Sequence, residues 1–175
     1  MVSIRVSENL CLEIVTHCDC DKIFSLVEKN RAYLAEYMSW VETTTSTDDI
    51  KTFINSCFDQ LKNMSGICYK ILVDGETAGT IGFFVTNEKT ATFEIGYWIA
   101  QKYSGRGIVS RLVPIVEKIC SEQYKAGKIE IRCATENSAS NRVAQKNNYE
   151  MEGTIRRCEI VNKKYLDYNV YGKCL

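Results

Sequence analysis

"YWIAQKYSGRGIVS", residues 97–110, carries the chain from an aromatic, strand-like segment through a basic glycine turn into the start of an apolar helix. Gly105 and Gly107 flank Arg106 in a chain that holds only 10 glycines and 1 proline. Two glycines at such a junction let a backbone come close to a ligand. A P-loop needs Lys and then Ser or Thr after its last glycine, and Ile108 and Val109 stand there instead. A dinucleotide fingerprint needs a third glycine where the chain has Ser110. An anion site asks less. Backbone N–H groups from Tyr103 through Ser104 to Ile108 would converge at the helix N-terminus, whose dipole favours negative charge, with Lys102 and Arg106 adding to it. A pyrophosphate suits that arrangement; a tight turn that merely joins two elements is the plainer alternative.

Working outward, the period of the pattern changes on both sides of the turn. Residues 67–73, an Asp74-Gly75 turn, 76–85, a turn at 87–89 and 90–100 read as a three-stranded meander. Residues 3–15 alternate as a strand, 19–38 give one or two short helices ending near Trp40, and Ser46 with Asp49 starts a helix through a capping-box pattern. From Gly107 a stripe of Ile108, Leu112, Ile115 and Ile119 predicts a helix, with Pro114 inside it as a kink and Gly127 as its stop. Residues 128–134 alternate as a strand, 138–147 form a short helix, and 153–161 pairs with 165–172 through Asn162-Lys163-Lys164. The order is α/β: helices flanking one mixed, mostly antiparallel sheet of about seven strands, with residues 1–175 as one domain.

Composition narrows the function. Lys plus Arg and Asp plus Glu each total 22, so no basic excess marks a nucleic-acid or anionic-membrane binder. No run is long enough to span a membrane, and the N-terminal stretch lacks a signal-peptide core, so a cytoplasmic protein is expected. The 9 cysteines include one close pair, Cys18 and Cys20, without the spacing of a zinc ribbon, and His17 is the only histidine. Reduced thiols, most of them small buried apolar residues, and no metal are the expectation. Monomer and homodimer both stay open.

At this point the sequence resembles a known family. "EIGYWIAQKYSGRGIVS" is similar to the acetyl-CoA-binding segment of the GNAT N-acetyltransferases, in particular the RimL/RimJ-type branch. "YMSWVETTTSTDDIKTFI" (37–54), "ENSASNRVAQKNNYEMEGTIR" (136–156) and "KKYLDYNVYG" (163–172) resemble further segments of that branch, so the match spans nearly the whole chain. The resemblance implies that the glycine turn cradles the pyrophosphate of acetyl-CoA, with Tyr97, Trp98, Ile99, Lys102, Tyr103, Ser104, Gly105, Arg106, Gly107, Ile108 and Asn137 as cofactor-binding positions.

Amide formation from a thioester and an amine needs a base, an oxyanion donor and a proton for the leaving thiolate. Glu94 is the only charged side chain between Lys89 and Lys102. It alternates with Gly96, Trp98 and Ala100 on one strand face, opposite Phe93, Ile95, Tyr97 and Ile99. Apolar surroundings would raise its pKa, which suits a base; an exposed carboxylate or an ion-pair partner is the alternative. By the resemblance, backbone groups around Tyr97 to Ile99 pair with the pantetheine arm, and Gly96 allows a bulge or a close approach there. The acid tyrosine of the wider superfamily falls at Ala144. The branch's serine falls at Ser140, the candidate proton donor, which otherwise serves the helix start. Asn137 fits both a pantetheine contact and an N-cap. With no histidine near Cys133, direct transfer is expected rather than an acyl-cysteine. Tyr33, Tyr37 and Trp40, with Glu36 and Glu42 near them, form the expected acceptor region for a cationic amine. The acceptor is a protein N-terminus by resemblance to RimL, or a polyamine, amino acid or antibiotic; a non-catalytic acetyl-CoA-binding module is the alternative of another class.

Overall fold

The structure, a computed structural model, describes residues 3–175. Two strands open it, β1 (Ser3–Ser7) and β2 (Leu10–Ile14), followed by α1 (Cys20–Lys29) and the short α2 (Arg31–Leu34) and α3 (Trp40–Thr43). Then come α4 (Thr47–Lys62), the meander β3 (Gly66–Val73), β4 (Glu76–Asn87) and β5 (Thr92–Ile99), α5 (Ile108–Tyr124), β6 (Lys128–Ala134), α6 (Ser138–Lys146) and the hairpin β7 (Glu150–Val161) and β8 (Lys164–Cys174). All eight strands join one sheet in the order β1-β2-β3-β4-β5-β6-β8-β7, antiparallel except where β5 meets β6. The α/β class and its mixed sheet are as the sequence predicts, with one strand more than the seven expected.

The extra strand comes from residues 3–15. Ser7 pairs with Leu10 across a two-residue turn, and a register shift between Arg5 and Ser7 then sets Ile4 opposite Leu12, so the even-numbered apolar residues keep one phase and read as a single strand. The helix after the glycine turn also differs from its predicted stripe. Val109, Leu112, Val113, Val116 and Cys120 are buried with Ile108, whereas Ile115 and Ile119 are only half-buried at the edge. The contact face is turned towards the β-branched row because Cys120 and the valines fill it as fully apolar groups. Pro114 lies on the exposed side of a helix that continues through it, so its missing N–H falls on the side where water can satisfy the freed carbonyl. The helix ends at Lys125, in the left-handed region at φ 58°, two residues before Gly127. Ser46 and Asp49 make the expected cap of α4: the Ser46 N–H donates to Asp49 Oδ2 at 2.8 Å.

β5 separates two cores. Phe93 and Ile95, with Tyr97 and Ile99 packed beside them, belong to the large cluster under α5. Trp98 belongs to a second cluster with residues of α1, α3 and α4. The alternation read from the sequence is therefore the division of faces up to Ile99; Ala100, expected on the Trp98 face, lies past the end of β5 and is buried in the large cluster instead. No bulge occurs at Gly96: it pairs with Gly82 in an unbroken β4–β5 register, and the irregularity lies further along, between Val85 and Asn87. The cysteines depart from expectation too. Cys57, Cys120 and Cys133 are buried, but Cys18, Cys158 and Cys174 are exposed and the remaining ones half-buried, all as free thiols. Among the described residues, no helix is long and apolar enough to cross a membrane.

Candidate active site

The centre of the site is a failure of pairing. β5 and β6 are hydrogen-bonded in parallel only from Thr92–Lys128 to Glu94–Glu130, although β5 continues to Ile99 and β6 to Ala134. Beyond Glu94 the two strands part, and the β5 edge facing the gap has no strand partner there. An extended ligand could complete it as an added strand. The cleft that opens from this gap, about 300 Å³, is lined by Tyr97, Trp98 and Ile99 of β5, by Tyr103, Ser104, Gly105, Gly107 and Ile108 of the turn, and by Asn137 and Ser140 of α6. Ten of the positions predicted from sequence thus meet in one place.

The turn itself is built by conformation. Gly105 and Gly107 have φ of 74° and 71°, a region costly to any residue with a Cβ, yet no atom lies within 4 Å of where a Cβ would stand on either. They leave the mouth open over the N-terminus of the 17-residue α5. Of the two basic residues expected to help, neither lines the cleft. Lys102 Nζ is 2.8 Å from Glu76 Oε2 on the outside, and Arg106 stacks 5.7 Å above the Tyr103 ring. Positive potential in the cleft comes from the backbone N–H groups of the turn and from two cations of α6 that line it, Arg142 and Lys146.

α6 brings a compact group of protic side chains to the gap. Asn137 caps the helix by accepting the Ser140 N–H at 3.0 Å, which uses Oδ1 and leaves its Nδ2 group for another partner. Ser140 does not cap the helix with its hydroxyl. Its Oγ lies 2.9 Å from the Tyr97 hydroxyl and 3.1 Å from the Cys133 sulfur. Burial pushes the Tyr97 phenol far above its usual range and the Cys133 thiol up to about 11. Ala144, at the superfamily's tyrosine position, is fully buried. Sequence reading placed only the backbone of Tyr97 at the site and so missed its hydroxyl, which alternation alone turns towards α6.

Glu94 lines a junction of about 170 Å³ where this cleft meets the space on the other side of β5. Burial raises its pKa above the ordinary carboxylate value, against the opposing pull of Arg132, whose Nε is 3.3 Å away, and with Glu130 and Glu159 adding to the rise. Both readings of Glu94 therefore hold at once: a buried carboxylate and an ion-pair partner. A second carboxylate, Glu159 of β7, lines the same junction and accepts hydrogen bonds from the Ser39 and Tyr168 hydroxyls. No Lys or Arg pairs with it among the described residues. It lies in a strand that is exposed apart from it and the buried Val161 at its end, so nothing local in the sequence distinguished it. Tyr33 and Tyr37, expected in the acceptor region, border the cleft of the glycine turn instead, and the Tyr33 hydroxyl donates to Ser104 at 3.1 Å, while Trp40 faces the other cavity beside Trp98. Among the described residues no group of three or more His, Cys, Asp or Glu side chains converges as a metal site would require.

Comparison with known proteins agrees with this geometry. Residues 9–150 match the acetyltransferase (GNAT) domain family. The chain is 26% identical over 173 residues to the ribosomal-protein-serine acetyltransferase of Escherichia coli (strain K12), covering 99% of this chain and 97% of that one. It is 30% identical over 178 residues to the uncharacterised N-acetyltransferase YoaA of Bacillus subtilis (strain 168), with 98% and 97% covered. The solved structure of RimL, a ribosomal-protein α-N-acetyltransferase, in complex with coenzyme A superposes with a TM-score of 0.93 at 26% identity, covering 99% of this chain and 98% of that one.

Proposed function

The chain belongs to the GNAT N-acetyltransferases, and on that footing we propose that this acetyl-CoA-dependent enzyme acetylates the α-amine of a protein N-terminus by direct attack in a ternary complex. The parting of β5 from β6 beyond Glu94 carries the reading. It exposes a strand edge to which a pantetheine arm can bond as a strand does, ending beside Ser140 and Cys133. The open glycine turn at the start of α5 lies at the other end of the same cleft, where backbone N–H groups suit a pyrophosphate. That RimL was solved with coenzyme A supports this occupant.

In this arrangement the amine nitrogen enters at the junction lined by Glu94 and Glu159 and attacks the thioester carbonyl carbon. Its proton passes to a carboxylate, the developing oxyanion is met by a β5 backbone N–H, and the C–S bond breaks as the thiolate takes a proton from Ser140. Tyr97, hydrogen-bonded to Ser140, holds that hydroxyl in place and can restore its proton. Glu94 is the proposed base, because burial raises its proton affinity. Glu159 is the second reading, favoured by one observation: the Arg132 guanidinium neutralises Glu94 and not Glu159. An acyl-cysteine route is disfavoured, since a thiol held at about 11 is almost wholly protonated at neutral pH and His17 is bonded to Asn55 on the exterior. The acceptor class rests on likeness to the ribosomal-protein acetyltransferases, with small amines as the alternative.

The test is intact-mass analysis after incubation with acetyl-CoA and a panel of peptide N-termini, polyamines and aminoglycosides. A gain of one acetyl group on an α-amine is expected. Tight acetyl-CoA binding by calorimetry with no transfer to any amine would leave a binding module in its place.

A further inference from the structure

The cavity on the other face of β5 says something about the acceptor's chemistry, on the assumption that the transfer reading above holds. It measures about 680 Å³, within the range of ligand pockets, and lies between α1, α3 and α4 and the sheet face that bears Glu94, Gly96 and Trp98. Its walls include no Lys or Arg. Of three carboxylates bordering it, Asp49 is already occupied by the N–H groups of Thr45 and Ser46 at the start of α4. The remaining carboxylates, Glu159 without a cationic partner among the described residues and Glu94 shared with Arg132, lie at the end that opens to the cofactor cleft.

The rest of the lining is mostly apolar, and of its polar groups the Thr44 and Ser56 hydroxyls donate to the Trp40 and Phe53 carbonyls, leaving Gln60 and Thr80. Phe53 and Phe84 both border this cavity and remain 40% and 38% exposed. Large apolar groups left facing water around a cavity mark a surface meant to be covered. Trp40 and Trp98 pack on each other in its wall, with ring centroids 5.9 Å apart. Gly96 leaves the floor clear: a Cβ built there would meet only the edge of the Phe84 ring, at 4.0 Å.

We infer that the acceptor is a primary amine that carries an apolar group, of leucine to indole size, close to its nitrogen. The ammonium lies between Glu94 and Glu159, and the apolar group rests on Gly96 against Trp98 under the lip made by Phe53 and Phe84. Two sources offer that chemistry, a peptide with an apolar residue in its first two positions and a free arylalkylamine. Polyamines and aminoglycosides match it poorly, because beyond Glu94 and Glu159 the polar groups Asp49, Thr44 and Ser56 are already hydrogen-bonded within the fold, and mostly apolar walls would strip further ammonium and hydroxyl groups of water.

The chain's 2 tryptophans both border this cavity, so intrinsic fluorescence reports its occupancy without turnover. Titration with phenylethylamine and with a hexapeptide beginning Ala-Leu should give saturable changes; spermidine and kanamycin should not. In acetyl transfer, hexapeptides beginning Leu-Ala or Ala-Leu should exceed Ala-Ala, Ala-Lys and Ala-Asp versions in kcat/KM by roughly 10- to 200-fold. Gly96→Val should abolish that preference and Gly96→Ala, the smaller change, should weaken it, while Phe53→Ala, away from the cofactor cleft, should weaken it with acetyl-CoA affinity by calorimetry unchanged. Phenylethylamine outrunning every peptide would assign the free amine as the source. Equal rates across the peptides, or spermidine as the best acceptor, would overturn the inference and leave the transferase reading standing. Saturation by apolar amines with no transfer to any amine would uphold the pocket and defeat the transferase reading instead.

Discussion

On one face of β5, Phe93 and Ile95 disappear into the core under α5, where Leu112, Val113 and Val116 are fully buried against them. On the other face, one residue out of phase, Glu94 keeps a charge, Gly96 leaves a gap and Trp98 borders an open cavity. The same strand thus carries a packed side and a reactive side. A sheet can position chemistry only if one of its faces is immobile, and here the immobile face is the one that α5 covers. α5 also presents its N-terminus to the glycine turn, so the packing that fixes β5 fixes the anion site with it.

The largest effects should come from the reactive face. Glu94→Gln and Glu159→Gln are each expected to change turnover, and the one that removes the base should lower kcat by roughly 10²- to 10⁴-fold with little change in acetyl-CoA affinity. Rate–pH profiles would show whether the acidic limb, set above the usual carboxylate range by burial, vanishes with Glu94 or with Glu159. Stability should move the opposite way. Burial raises the folded-state pKa of Glu94 above its unfolded value, so its contribution is present below the unfolded pKa and is lost as pH rises through the folded one. At neutral pH the ionised group is a net cost, and Glu94→Gln should hold or raise Tm. A fall in Tm would show that the ion pair with Arg132 outweighs burial.

The packed face should answer in stability instead. Leu112→Ala removes a fully buried side chain beneath β5 and should cost about 2–5 kcal/mol in denaturant unfolding, while the molecules still folded keep their kcat. Loss of kcat among folded molecules would break the division between the faces. Gly107→Ala comes next: with φ at 71° and no atom in the way, the penalty is conformational, roughly 1–2 kcal/mol, and acetyl-CoA affinity should weaken along with stability. Smaller still is Arg132→Gln, read in the pH profile alone. It removes the charge that opposes burial at Glu94, so the acidic limb should move to higher pH if Glu94 is the base and stay in place if Glu159 is.

The two faces of β5 were legible because a period of two needs only the strand itself. So was the glycine turn, whose left-handed conformation follows from residue type. The hairpin of β1 and β2 was not legible, since its two-residue turn carries no glycine and the register shift between Arg5 and Ser7 keeps Ile4, Leu10 and Leu12 in one phase, as a single strand would. Glu159 stayed hidden for a different reason. Its importance comes from β7 sitting at the far edge of the sheet and folding back through β8 beside β6, a relation between segments that no local pattern records. The parting of β5 and β6 is of the same kind: each strand continues in sequence after their pairing has stopped.

The smallest expected effect tests how the turn holds an anion. The sequence counts Lys102 with Arg106 as positive charge near the turn, and the family resemblance makes it a cofactor-binding position. The Lys102 ammonium instead faces outward to Glu76, in an exposed pair of the kind that contributes little. Lys102→Ala should therefore leave both Tm and the calorimetric Kd for acetyl-CoA unchanged, at low salt as well as at high. A loss of affinity that grows as salt is lowered would mean that the side chain swings from Glu76 to the ligand. The backbone N–H groups at the start of α5 would then share the anion with a mobile cation, and the rigidity that the packed face of β5 lends to the turn would matter less than its geometry suggests.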